Sequence, residues 1–151
     1  MNFYKIHYLS LIRFLNTQAE VISTVTGKSA PVVMNFDAHT NITELPMQDM
    51  IGTIGFGLTK SNKIITVHTG IAVSTYDDPD ILRHMDMMDV LSKALDADSR
   101  IPLFTAQSGV AVETNWMVTK TGLIVEPCDQ SKLRTLQVMT VQFQSGVSGQ
   151  A

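Results

Sequence analysis

The polar and apolar positions divide the chain into a helical start and a long succession of strands. Over residues 2–17, Tyr4, Tyr8, Leu11, Ile12 and Leu15 recur at three- and four-residue spacing, which predicts an amphipathic helix. Phe3, Ile6, Leu9 and Phe14 widen its apolar face, leaving Asn2, Lys5, Arg13 and Asn16 as a thin polar stripe. Such a helix is expected to be covered on more than one side. From Glu20 the chain turns β-branched, so Val21–Thr26 and Pro31–Phe36, around a Gly27-Lys28 turn, predict a hairpin. Residues 37–50 obey neither period: Asp37-Ala38-His39-Thr40-Asn41 is turn-rich, Pro46 interrupts the second half, and Ile42, Leu45, Met47 and Met50 stand among polar neighbours. A connection this long inside one domain points to a contact or binding role.

Ile51–Leu58 reads as a glycine-interrupted strand, turned at Thr59-Lys60-Ser61-Asn62 into the longest strand, Lys63–Thr75. There Ile65, Val67, Thr69, Ile71 and Val73 alternate with Thr66, His68, Gly70 and Ser74, the signature of a sheet with one dry face. A helix is predicted to cover that face, with Asp78 as N-cap, Pro79 in the first turn, and a stripe of Ile81, Leu82, Met85, Met88, Leu91 and Leu95. Asp80, Asp86 and Asp89 are expected in solvent. Ile101–Thr105, Val110–Val118 and Leu123–Glu126, separated by Gln107-Ser108-Gly109 and Lys120-Thr121-Gly122, predict a meander. The closing run Leu133–Gln144 carries Leu133, Met139, Val141 and Phe143 on one face and Leu136 and Val138 on the other, which suits a strand interior to the sheet. The expected fold class is α+β: a mainly antiparallel twisted sheet packed by an N-terminal helix and one central helix. A single domain over 1–145 is expected, with a small, polar, flexible tail at 146–151.

Composition narrows the function classes. At 151 residues the chain can bury a full core without disulfide or metal. Its 17% charged residues fall below the roughly 25% usual for soluble domains, which is expected when neighbouring subunits cover part of the surface. The net charge is −3 and the cations are scattered, so no basic stripe is present for nucleic acid. The single cysteine, Cys128, suits a reducing compartment and space-filling in the sheet. Lys5, His7 and Arg13 interrupt the apolar start, so neither a membrane span nor a signal peptide is expected.

Reactive chemistry requires patterns that this chain begins but does not complete. Gly27-Lys28-Ser29 matches the end of a phosphate-binding loop, but Ile22 stands where its first glycine belongs, and Ala30-Pro31 comes where a helix should open. Gly52, Gly55 and Gly57 do not make a dinucleotide fingerprint and read instead as a bulge or a close backbone approach. His7, His39, His68 and His84 lack paired ligand spacing, so each is expected as a surface or partly packed residue; His84 with Asp86 and Asp89 reads as an exposed helix face. No Gly-x-Ser-x-Gly occurs, and Ser108-Gly109 is a turn. Glu113 and Glu126, facing across strands, would be a coincidental pair, and Trp116 reads as a core or interface anchor. No catalytic group, cofactor or metal is expected.

The order of elements, carried by Lys63–Thr75, Asp78-Pro79-Asp80 to Leu95, Gly122-Leu123-Ile124-Val125 and Leu133–Phe143, resembles the phage tail terminator (tail-tube capping) proteins. That resemblance implies a structural virion protein of tail and neck, assembled in the host cytoplasm: a hexameric ring of this chain that stops tube growth. Its implied partners are the tail tube protein, a neck or head-completion protein and, in contractile tails, the sheath. The expected contact residues are Ile42, Leu45, Met47 and Met50 on the long connection, and Lys60 and Lys63 at the hairpin tip. Two other readings stay open: another tail or head-tail joining subunit, whether tube, sheath-associated or connector, and a small oligomeric α+β enzyme or ligand-binding domain.

Overall fold

The computed structural model describes residues 3–34, 47–61, 63–96, 100–104, 111–122, 129–130 and 134–146. The first helix, α1, runs Phe3–Thr26, well past the expected end at 17, and takes up the segment that reads as the first strand of a hairpin. The reason is tertiary: Ile22 continues the stripe of Leu11 and Leu15, and all three are fully buried in the main core. The threonines that favour strands are accommodated because Thr17, Thr24 and Thr26 donate their hydroxyls to the carbonyls four residues back. Gly27, at φ 75°, ends the helix, its N–H bonded to Ser23 O at 2.9 Å. The second half of the expected hairpin survives as β1 (Val32–Val33), which runs parallel to β2 (Met50–Ser61).

β2 and β3 (Ile64–Tyr76) form the long hairpin, β2 longer than expected, β3 of the expected length but displaced by one residue, and the turn tighter, with Lys63 at φ 64°. A bulge at Gly55, φ 72°, shifts the register between Ile54 and Phe56. Without it Phe56 and Leu58 would point away from the helices; with it both pack on the main core. Thr69 closes the bulge by donating its hydroxyl to Gly55 O at 2.7 Å. Tyr8 of α1 meets Phe56 edge-on, with ring centroids 5.3 Å apart.

The central helix, α2, spans Leu82–Ala94 and starts later than expected. Pro79-Asp80 forms a turn, and Ile81 takes a left-handed conformation at φ 50°. Asp78 still caps the helix from outside it: its carboxylate accepts Arg83 N–H at 3.4 Å and His84 N–H at 2.8 Å. This shift rotates the buried face to His84, Met87 and Leu91, and leaves Leu82 and Met85 in solvent although the apolar spacing places them in the stripe. Asp80, Asp86 and Asp89 are exposed, as expected.

β4 (Arg100–Phe104), β5 (Ala111–Gly122), β6 (Asp129–Gln130) and β7 (Arg134–Gly146) complete the sheet. β4 and β5 pair antiparallel as the expected meander has them, but the other neighbour of β5 is β7. The order is β1-β2-β3-β7-β5-β4, so β7 is inserted beside β3, and β5 and β6 share its other edge. Lys120-Thr121-Gly122 lies in β5 instead of a turn, after a register shift at Val118/Lys120. Gly146 pairs with Ile64 and belongs to the sheet, whereas the tail beyond it, the expected strand 123–126 and Cys128 lie outside the described residues. The fold is thus α+β, with a mixed, mostly antiparallel sheet.

The interior position of β7 explains its two apolar faces. Met139, Val141 and Phe143 join Ile65, Val67, Ile71 and Val73 in the core under α1 and α2. Leu136 and Val138 turn to the other face and pack with Val33 and Ile54 around buried Met50 and Ala72. Gly70 is required there: a Cβ at this position would lie 2.9 Å from Val138 Cγ1 and 3.1 Å from Ile54 O.

Candidate functional site

The densest polar constellation among the described residues sits where β2 begins, β3 ends and α2 begins. Asp49, buried, immediately precedes β2. Its carboxylate accepts Arg83 Nε–H at 2.5 Å, a second Arg83 N–H at 3.0 Å and the Tyr76 backbone N–H at 3.0 Å. Arg83 also donates to Tyr76 O at 2.6 Å and approaches Asp78 at 3.8 Å. The hydrogen bond to Asp49 raises the Arg83 pKa above its ordinary value, against the opposing effect of burial.

Beside this pair, His84 is fully buried, with Nε2 2.6 Å from Gln137 Oε1 on β7. An amide oxygen only accepts, so Nε2 carries the proton and Nδ1 presents a lone pair, which has no partner among the described residues. Burial lowers the His84 pKa and keeps the ring neutral. Arg134, at the start of β7, is buried; it donates to Ser74 Oγ at 2.8 Å and Gln48 O at 3.2 Å, and lies over the Tyr76 ring. Burial lowers its pKa.

This constellation contains an acid, a base and two guanidinium groups, but its geometry is that of a clamp. All three bonds onto the Asp49 carboxylate come from the protein, and His84 has no exposure through which to reach a substrate. Its chemical capacity is to lock the starts of β2, α2 and β7 to the end of β3. Sequence reasoning missed it. The signal was Asp49 directly before an apolar strand, together with Arg83-His84 interrupting the apolar stripe of a helix.

Elsewhere, a half-open cleft of about 430 Å³ lies between α1, the end of α2 and β4, walled by Ser10, Arg13, Phe14, Thr17, Ala94 and Pro102 among others. His7 is held neutral by burial, which lowers its pKa to about 4. His7 and His84 are therefore interior residues, not the surface or partly packed groups expected, because the buried faces of both helices are rotated from the apolar stripes read in sequence. His68 is exposed on β3. Among the described residues no group of His, Cys, Asp or Glu could hold a metal ion, and no helix is long and apolar enough to cross a membrane.

The expected contact residues separate sharply. Met47 is 80% exposed, and Lys60 and Lys63 are exposed at the hairpin tip. Met50 is fully buried as the first residue of β2, so it is a packing residue and offers no contact surface. Ile42, Leu45, His39 and Glu126 lie outside the described residues, as do the side chains of Glu113 and Trp116. Exposed apolar side chains that the sequence did not single out as surface residues are Tyr4, Val21 and Val25 on α1, Leu82 and Met85 on α2, and Ile64 at the hairpin tip. Compared with known proteins, the chain matches no family model, and no curated protein is significantly similar to it.

Proposed function

We propose that this chain is a structural subunit of a phage tail, of the terminator kind: it assembles into a ring, caps the tail tube and joins it to the neck. The observation that carries this reading is the placement of large apolar side chains in solvent on separate parts of the subunit. Tyr4, Val21, Val25, Met47, Ile64, Leu82 and Met85 are each 40% exposed or more, although α1, α2 and the sheet already enclose a filled core. Surface of that kind is expected where subunits meet. The buried acid–base cluster supports the same reading, since its groups are used to fix the ends of elements and none is turned outward. Part of the element order behind the resemblance supports the reading, namely the N-terminal helix, long hairpin, central helix and long interior closing strand, whereas Val21–Thr26 lies in α1 instead of the expected first hairpin.

The test is electron microscopy of the purified protein mixed with tubes polymerised from the tail tube protein of the same phage. Rings seated on tube ends, with tube growth arrested, are expected. Labelling along the tube wall would assign the chain to a tube- or sheath-associated role instead. Failure to associate with tubes at all would overturn the proposal.

A further inference from the structure

The two ends of β3 carry opposite charge beside exposed apolar side chains. At the hairpin tip, Lys60 and Lys63 are exposed next to Ile64, which is 45% exposed. Tyr4, 66% exposed, and Lys5, also exposed, stand on α1 one turn before Tyr8, which rests on Phe56 of the same hairpin. At the other end, the outward face of α2 presents Leu82, 68% exposed, and Met85, 40% exposed, with Asp86 and Asp89 along the same face and Asp77 and Asp80 just before it. The clamp brings Met47 to this end, because Asp49, two residues on, is bonded to Arg83 beside Leu82. Arg83, a cation within this acidic rim, is already engaged by Asp49 and Asp78.

Thirteen residues of β3 separate the two patches, about 40 Å at the usual rise per strand residue, so one molecule cannot bring its own ends together. We propose that the hairpin tip of one copy docks on the outward face of α2 in the next, so that copies join head to tail through a basic apolar end meeting an acidic apolar end. The inference rests on the assembly reading above and specifies how the copies meet. Because the two surfaces differ, the contact is heterologous: each docking leaves one tip and one α2 face open, and the series ends when the rotation closes it into a ring. Opposite charges set the register and speed encounter, while Ile64, Leu82 and Met85 supply the area removed from water.

Charge reversal tests this pairing directly. A Lys60→Glu/Lys63→Glu variant is acidic at both ends, and an Asp80→Lys/Asp86→Lys/Asp89→Lys variant, in which Asp77 alone stays acidic on that face, is basic at both. Each alone is expected to sediment as a monomer at concentrations where the unchanged chain assembles, with association weakened at least tenfold. A one-to-one mixture is expected to reassemble, each contact now joining unlike variants. The unchanged chain should also lose association between low salt and 1 M salt. Circular dichroism confirms that both variants remain folded, and a Leu82→Asp variant provides an uncharged-to-charged probe of the same face. Undiminished assembly by either charge variant, or a mixture that stays dissociated, would overturn the proposal. If the unchanged chain caps tubes while these variants assemble as it does, the head-to-tail pairing fails and the tail reading stands. If the mixture reassembles but the unchanged chain ignores tubes, the pairing stands and the tail reading fails.

Discussion

Replacing Asp49 with asparagine removes one charge from the clamp with almost no change of shape. The Asn side chain can still accept the Tyr76 N–H through its oxygen. Its amide nitrogen then replaces Oδ2 and faces Arg83 Nε–H, so a donor meets a donor and that contact is lost, while the Arg83 Nη2–H bond to Oδ1 keeps its acceptor but loses the carboxylate charge. Each hydrogen bond to a charged group contributes about 1.5–3 kcal/mol when shielded. The Asp49 side chain is 3% exposed but that of Arg83 is 15% exposed, so water recovers part of the loss, and the net destabilisation should be about 2–3 kcal/mol. In a domain of this size that corresponds to a fall in Tm of roughly 5–10 °C. Urea unfolding of the wild type, Asp49→Asn, Arg83→Met and the double variant gives the coupling directly. A change below about 0.5 kcal/mol for Asp49→Asn, or a coupling energy near zero, would refute the claim that this pair holds β2, β3 and α2 in register.

Other consequences are equally checkable. Gly55→Ala places a side chain at φ 72° with no heavy atom within 4 Å, so its cost is conformational alone, about 1–2 kcal/mol by denaturant unfolding. Gly70→Ala meets Val138 Cγ1 at 2.9 Å and should cost about 1–3 kcal/mol, with Val138→Ala relieving part of it in the double variant. His7 titrates near 4 in the fold and near 6.5 unfolded, so between those values the unfolded chain binds the extra proton. Its contribution to stability is therefore full above pH 6.5 and falls as the pH drops toward 4. His7→Gln should flatten that slope, and an unchanged slope would show that the ring is not held neutral.

The sheet was legible because alternation in Lys63–Thr75 and the two-sided pattern of Leu133–Gln144 report directly on burial. β3 has its apolar positions on the helix face, and β7 is interior, as its second apolar set demands. Strand order was not legible, since nothing local marks β7 for insertion between β3 and β5. The run Val21–Thr26 misled because strand propensity is weak beside the gain from burying Ile22 on the sheet. Asp78 was legible as a cap but not its offset: the left-handed Ile81 turned α2 so that His84 went inside and Leu82 went out. The same rotation hid the clamp from sequence reasoning, since Asp49, Arg83 and Gln137 are brought together only by contacts far apart in the chain. Of the expected surface, Met47, Lys60 and Lys63 lie exposed, while Met50 closes the second core.

The central claim is that the apolar surface of this chain serves assembly with itself. Light scattering coupled to size separation of the purified chain, carried over a concentration series, tests it most directly. A particle of about six chain masses, dissociating on dilution or in high salt, is the result the account predicts. A single chain mass at every concentration would contradict it.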